Sequence, residues 1–392
     1  MGEWRRGRNA RPFLPLLHSP IFPFFLSRLW IALFVYAGHA QHAYLSPIPG
    51  GWEGVRNWWL NPWTTFDSQH FIHIAQHGYD AQTAAFFPLY PFLLKLAGND
   101  PVWMAAWGIL ISNVAFLGAL FIFYRLTEQE YSRRAATIAT WLLAFFPTSV
   151  IFSAVYTESL FLLLLVSAFW FWRARSWWLA ALLFLLASWT RNIGPVLFAA
   201  LALEWFFRNQ NAGEYSRRDK WKALAPVAAP AIGFLSVQLL LLRETGIWLA
   251  SVAGQKHFGA GSRAANWPWK PVLNDLQLML APGGFQLLVF FNVAACILVF
   301  WLLARHGKQQ PLAYTLLTAG VILLHLTFAS AREFQTLDAL RYLSVVFPFV
   351  QLLTLDLEWM TANRARRAAG CAMLLLVCAT LAYAFGQKSY VS

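Results

Sequence analysis

The chain has 392 residues, 59% of them hydrophobic and only 12% charged, with a formal net charge of +13. Soluble domains are roughly 45–50% apolar and about 25% charged, so a water-soluble globule is excluded. The Lys and Arg residues sit in short clusters between apolar runs, a pattern of membrane topology rather than of a basic nucleic-acid-binding face.

A hydrocarbon core of ~30 Å takes about 20 helical residues. Windows of that kind recur near 20–40, 101–124, 135–153, 156–172, 176–190, 193–207, 223–242, 284–304, 311–330, 341–359 and 368–385. They predict an all-α integral membrane protein: a polytopic bundle of about 11 transmembrane helices, with residues 1–392 forming a single transmembrane domain. If Arg5, Arg6, Arg8 and Arg11 lie inside, the inner segments hold 19 Lys and Arg against 10 in the longer outer segments. That bias puts the N-terminus in the cytoplasm. The first window follows a basic start and ends among small residues near Ala37. Its length of about 20 residues favours a retained helix over a cleaved signal. Arg28 falls inside it. The two long segments, 41–100 and 243–283, are then both outer loops, so chemistry is expected at the extracytoplasmic face.

The first outer loop contains NPWTTFDSQHFIHIAQHGYDAQTAAFFPLYPFLLKLAG. Asp67 and Ser68 are N-cap types and Gly78 suits a helix end, which predicts a short interfacial helix with Asp67, His70, Ile74 and His77 on one face. Pro88 and Pro91, set among aromatics, predict a kinked second interfacial helix that carries Tyr90 and ends at Gly98. Asp67 serves either as a helix cap or as a base beside His70. His70, His73 and His77 lack the HExxH pattern of a zinc site, so no metal or other cofactor is expected.

Further along, FFPTSVIFSAVYTESLFLLLL carries Glu158 at the outer start of the fourth window, and Arg191 with Asn192 follows the fifth. Ionisable groups at such depths are functional candidates, the plain alternative being a Glu158–Arg191 ion pair between helix ends. Arg341 opens the tenth window and offers a bidentate fork to an anionic headgroup. Asp356 and Glu358 read as a solvated inner helix end. The three cysteines lie in apolar runs without C-x-x-C spacing, and no nucleotide-binding motif occurs.

Three of these stretches carry a resemblance. FDSQHFIHIAQHGYDAQTAAFFPLYP, FFPTSVIFSAVYTESLF and Ser188 to Gly194 resemble motifs of the GPI second-mannose transferase (PIG-V) family and its prokaryotic relatives, which are polytopic GT-C glycosyltransferases. Phe66 stands where the family has Trp before the Asp, Phe146 where Asn precedes Pro147, and the family's R-S-N-G order is altered at Arg191-Asn192-Ile193-Gly194. Arg341 lies in a loosely similar setting. The resemblance implies a GT-C-type bundle in a prokaryotic plasma membrane, with a polyprenyl-phosphate-linked sugar, typically mannose, as donor. It implies Asp67 as the base of an inverting displacement onto a lipid, glycan or protein acceptor. His70 and Glu158 would orient sugar hydroxyls or hold Asp67 in place, Arg341 and Arg191 would meet the leaving phosphate, and Tyr90 would gate a groove for the prenyl chain. The rival reading is a lipid or small-solute transporter or flippase with an outer gate. Matched broken helices in two repeated halves would mark it, and no such repeat is visible in the sequence.

Overall fold

The computed structural model describes residues 19–45, 55, 57–210, 217–255, 265–282, 286–329, 333–357 and 364–388. Arg5, Arg6, Arg8, Arg11 and Glu358 lie outside them. Among the described residues there are seventeen α-helices and no strand: α1 (Ile21–Leu45), α2 (Asp67–His77), α3 (Leu89–Lys95), α4 (Pro101–Glu130), α5 (Arg133–Ala144), α6 (Glu158–Arg173), α7 (Trp177–Ser188), α8 (Gly194–Gln210), α9 (Arg217–Lys222), α10 (Leu224–Thr245), α11 (Ala250–Gly254), α12 (Lys270–Leu280), α13 (Leu287–His306), α14 (Leu312–Thr327), α15 (Ala339–Val345), α16 (Phe347–Leu357) and α17 (Arg364–Gly386).

Each apolar window contains a helix, but the eleven are not eleven full-length spans. Five helices, within α1, α4, α9–α10, α13 and α17, are long and apolar enough to cross a membrane. The pair α15 and α16, bent by 92°, makes a sixth candidate. This is a multi-pass integral membrane protein. By contrast α5, α6, α7, α8 and α14 have only 12 to 17 residues, short of the ~20 that a perpendicular crossing takes.

That difference in length shapes the molecule. α4 packs along α6, and their far ends are aligned where Glu130 meets Arg173 at 3.5 Å. At 1.5 Å per residue α6 is about 24 Å long and α4 about 45 Å. Ser112 of α4 bonds the carbonyl of Tyr156, just before α6 begins, so the first eleven residues of α4 continue beyond the start of α6. Glu158, in the first turn of α6, is therefore set well below the start of α4, and α2 and α3 pack together and against α4.

The chain between α5 and α6 is not α-helical, although all of it except half-buried Pro147 is buried. Pro147 follows the last turn of α5 and cannot donate a backbone hydrogen bond; a 3₁₀ turn, Ser149–Phe152, comes next. Irregular backbone at membrane depth is tolerated only when protein groups satisfy it. Half-buried Arg28 of α1 does much of this. Its guanidinium donates to the carbonyls of Ala144 and Ser149 and to the hydroxyls of Ser149 and Ser153, and it lies over the ring of Phe116. The Val155 amide donates to the Trp63 carbonyl at 3.0 Å, tying this break to the first inter-helix segment.

Two expectations for that segment are corrected. α3 is not kinked, because Pro91 lies in its first turn, where a missing amide costs nothing, and the helix stops at Lys95 before Gly98. Tyr90 is fully buried, its hydroxyl at 2.9 Å from both the Gly108 carbonyl and Ser112 Oγ. It anchors α3 to α4 rather than facing a groove. A Cβ on Gly108 would lie 2.8 to 3.2 Å from Val155, Leu94 and the Tyr90 hydroxyl, so a glycine is needed for this approach.

Arg28→Met keeps the volume and removes the donors. The expected loss is on the order of 3 kcal/mol from carbonyls left unsatisfied, read as a lower melting temperature in detergent. An unchanged melting temperature would show that water replaces the guanidinium there.

Candidate active site

The expected site residues converge from four parts of the chain. Asp67 is the first residue of α2 and not its cap. The capping position is Phe66, at φ 54, and no side chain caps the helix. A left-handed conformation at a bulky residue is strained, and here it directs the chain into α2 so that the Asp67 carboxylate turns to Arg341. Arg341 Nη2 donates to Asp67 Oδ2 at 2.5 Å, and Arg341 Nε donates to Glu158 Oε1 at 2.6 Å. Arg191 Nη1 approaches the same Glu158 oxygen at 2.7 Å. Two carboxylates and two guanidiniums thus form one chain of ion pairs, formally neutral.

Burial differs along this chain and separates the roles. The Glu158 side chain is 0% exposed, Arg341 9% and Arg191 11%, whereas Asp67 is 24% exposed. Of the four charged groups the Asp67 carboxylate is the most exposed. Each arginine is also held by an aromatic face: Arg341 lies 4.8 Å from the Tyr156 ring centre and Arg191 5.4 Å from that of Tyr342. The two tyrosines are sequence neighbours of the acid and of the opposite base, so the ion pairs and their cation–π partners lock the same segments. Such contacts are worth up to about 2 kcal/mol when desolvated.

His70 stands one turn beyond Asp67, stacked on Phe86 with ring centres 4.7 Å apart. Burial lowers its pKa from the ordinary 6.5, and the Asp67 charge only partly offsets that. Near neutral pH His70 is a neutral hydrogen-bonding ring. His70 and His77 lie about two turns apart along α2, while His73 and His77 have ring centres 4.7 Å apart and His73 meets Asp80 at 3.6 Å. Among the described residues no group of three His, Cys, Asp or Glu is arranged to hold a metal ion. Asn192 is half-buried in the turn beside Arg191 and takes no part in the ion-pair chain.

Two buried polar clusters were not anticipated from the sequence. At the far end of the bundle Arg173 lies between Glu130 and Glu204, at 3.5 and 3.4 Å. Tyr314 and Gln351 donate to Glu130, and the Ala313 amide donates to Glu204 at 2.7 Å. This network fastens α4, α6, α8, α14 and α16 together. Glu130 and Glu204 close apolar windows, and an acid in that setting asks for a partner, the one signal that pointed to it. The second cluster, around Asp275, bears on Arg341 and is treated below. Asp356 is paired with Arg305 and His306 at 3.5 and 3.3 Å.

Two outcomes follow. Glu158→Gln leaves two buried guanidiniums short of a counter-charge, a change that costs about 3–5 kcal/mol; the expected result is a clear fall in melting temperature, larger than that of Asp67→Asn. For His70 the folded-state pKa lies below the unfolded one, so stability is intact above pH 6.5 and is lost as pH falls through 6.5 toward the lower folded value. In His70→Gln the acid-side loss of melting temperature should therefore be smaller. An equal loss in both proteins would remove His70 as its source.

Comparison with known proteins gives the following. The family model described as Mannosyltransferase (PIG-V) matches residues 21–243, a stretch that includes Asp67, Glu158 and Arg191 but not Arg341. The chain is 30% identical to GPI mannosyltransferase 2 of Cryptococcus neoformans over 158 residues, 37% of this chain and 37% of that protein. It is 31% identical to GPI alpha-1,6-mannosyltransferase 2 of Rattus norvegicus over 144 residues, 33% of this chain and 29% of that one. The matched stretch thus spans only 29 to 37% of the length of these relatives. Among solved structures, the apo oligosaccharyltransferase of Archaeoglobus fulgidus aligns over 95% of this chain and 56% of its own, at 14% identity and a TM-score of 0.47.

Proposed function

The chain belongs to the mannosyltransferase (PIG-V) family, and on that basis we propose that it transfers a hexose, mannose in the first instance, from a polyprenyl-phosphate donor to an acceptor hydroxyl at the membrane face that carries Asp67. The observation that carries the reading is the ion-pair chain itself: a partly exposed carboxylate in contact with an arginine, which is anchored from behind by a buried glutamate.

In the proposed displacement Asp67 takes the proton of the acceptor hydroxyl as its oxygen attacks the anomeric carbon, and the bond to the phosphate oxygen breaks on the opposite side. A positioned general base contributes typically 10²–10⁴-fold. The leaving prenyl phosphate gains negative charge, and Arg341, with Arg191 beside it, is suited to receive that charge because preorganised cations in a desolvated site stabilise it strongly. Glu158 fixes both guanidiniums and does not itself meet the sugar. His70, neutral and close to Asp67, is available to hydrogen-bond a sugar hydroxyl.

A path for the donor's tail is consistent with this. An apolar groove of about 290 Å³ runs between α8 and α14, lined by Pro195, Val196, Ala199, Ala200, Leu203, Leu316 and Gly320. Its lip at Pro195 is four residues from Arg191, so a phosphate at the arginines and an isoprenoid chain in the groove are compatible with one molecule. The donor, the inverting course, the acceptor class and the extracytoplasmic orientation are all parts of this proposal.

The test is transfer of labelled mannose from polyprenyl-phosphate-mannose by membranes containing the wild type or Asp67→Asn, followed in lipid, glycan and protein fractions. Wild-type transfer with a loss of about 10²-fold or more in Asp67→Asn, at equal expression, is expected. Wild-type rates from the Asn variant would rule out the base. Absence of transfer from mannose- and glucose-linked donors alike would turn attention to lipid transport.

A further inference from the structure

Arg341 opens its helix after a stretch of irregular backbone. Residues 333–338 form no helix or strand, and Asp338, which precedes α15, sits at φ 82 and gives it no side-chain cap. Asp338 lies three residues before Arg341, a second residue with positive φ near the same ion pair, as Phe66 is directly before Asp67. Strain of this kind persists only where the surroundings over-determine it.

The surroundings that do so come from α12 and α13. Asp275 of α12 is fully buried. Its Oδ1 accepts the amide of Gln335 at 2.8 Å, and its Oδ2 accepts both the amide and the hydroxyl of Thr336 at 2.7 Å each. The neighbouring Asn274 donates to the Glu333 carbonyl at 3.0 Å. From α13 the buried Asn292 accepts the amide of Leu340 at 3.0 Å while its own amide group bonds Leu288 within the helix. The Asn292 carboxamide thus caps α15 from another helix, in place of Asp338. With the Asn274 amide group also donating to Oδ1 at 3.1 Å, Asp275 accepts four hydrogen bonds, and a charged acceptor so satisfied is among the stronger hydrogen-bonded arrangements in proteins. The Thr336 hydroxyl is committed to the same carboxylate as its amide.

We propose that Asp275, assisted by Asn292, is the positioning residue for Arg341: α12 grips the segment that feeds α15 and thereby holds the guanidinium between Asp67 and Glu158. This rests on the reading of Arg341 as the group that meets the leaving phosphate. It gives the long segment between α10 and α13 a task in that reaction, although none of its described residues lies in the ion-pair chain. Asp275 acts through Arg341, so its effect depends on Arg341 being present.

The test uses the purified full chain with Asp275→Asn, which keeps the shape but turns amide protons toward donors that now meet the carboxylate, and Thr336→Val, which removes one bond of four and is the milder change. Two measurements are made. Hydrogen–deuterium exchange over residues 333–341 should speed up about tenfold in Asp275→Asn and less in Thr336→Val, with residues 67–77 unchanged. For polyprenyl-phosphate-mannose, kcat should fall about tenfold with KM altered less than about twofold, the pattern of a contact made only in the transition state. In an Arg341→Lys background, which keeps the charge and loses the fork, Asp275→Asn should lower the residual kcat by less than about twofold. Unchanged exchange over 333–341, or the same tenfold loss in the Lys background, would overturn the proposal. If the wild type transfers nothing from prenyl-phosphate sugars, the functional reading fails while the exchange measurement still decides whether Asp275 holds the segment.

Discussion

The structure turns on one buried carboxylate. Glu158 has no access to solvent and receives two guanidiniums, those of Arg341 and Arg191. A carboxylate at that depth is sustainable only when it is paired and its oxygens are satisfied. Because the partners come from the turn before α8 and from α15, the electrostatic requirement of one residue draws distant segments together. Arg341 then carries the link outward to Asp67 on α2. The same constraint that stabilises the bundle thereby assembles the reactive group at its rim.

Helix length supplies the second element of the design. α6 is much shorter than its neighbour α4, so the first turns of α4 extend beyond the start of α6. Irregular backbone lies between α5 and α6, and it needs donors that water cannot supply. Arg28 from α1 provides them, so a charge that looks out of place in an apolar helix is a structural necessity. At the far end Arg173 between Glu130 and Glu204 does comparable work, fixing the register of the short helices from below. Both ends of α6 are therefore held by ion pairs, and its intervening apolar turns pack against α4 and α7.

Much of this was legible residue by residue and little of it pair by pair. Asp67, Glu158, Arg191 and Arg341 stood out because each is an ionisable group at the margin of an apolar run. What the sequence left open was whom they meet. Asp67 read equally well as a helix cap, since Asp favours that role locally, and only the strained Phe66 and the arrival of Arg341 took it elsewhere. Tyr90 read as a gate because the prolines near it suggested a kink; with Pro91 in the first turn the helix is straight and the tyrosine is buried against Gly108. His70 and His77 share a helical face about two turns apart, and it is Phe86 that stacks on His70 while His73 comes near His77. Asp275 and Asn292 carried no signal at all, because their partners are backbone amides more than forty residues away and a backbone amide has no sequence signature.

The sequence by itself determined the solvent, the helical class and the inventory of charges. Those follow from composition and from the length of apolar runs, which act locally and additively. The tertiary structure decided which helices are too short to span, where the chain breaks inside the bundle, and how four charges separated by up to 274 positions become one ion-pair chain. Pairing is a non-local choice: it depends on the neutralisation of every buried charge at once, and no single stretch of sequence contains that condition.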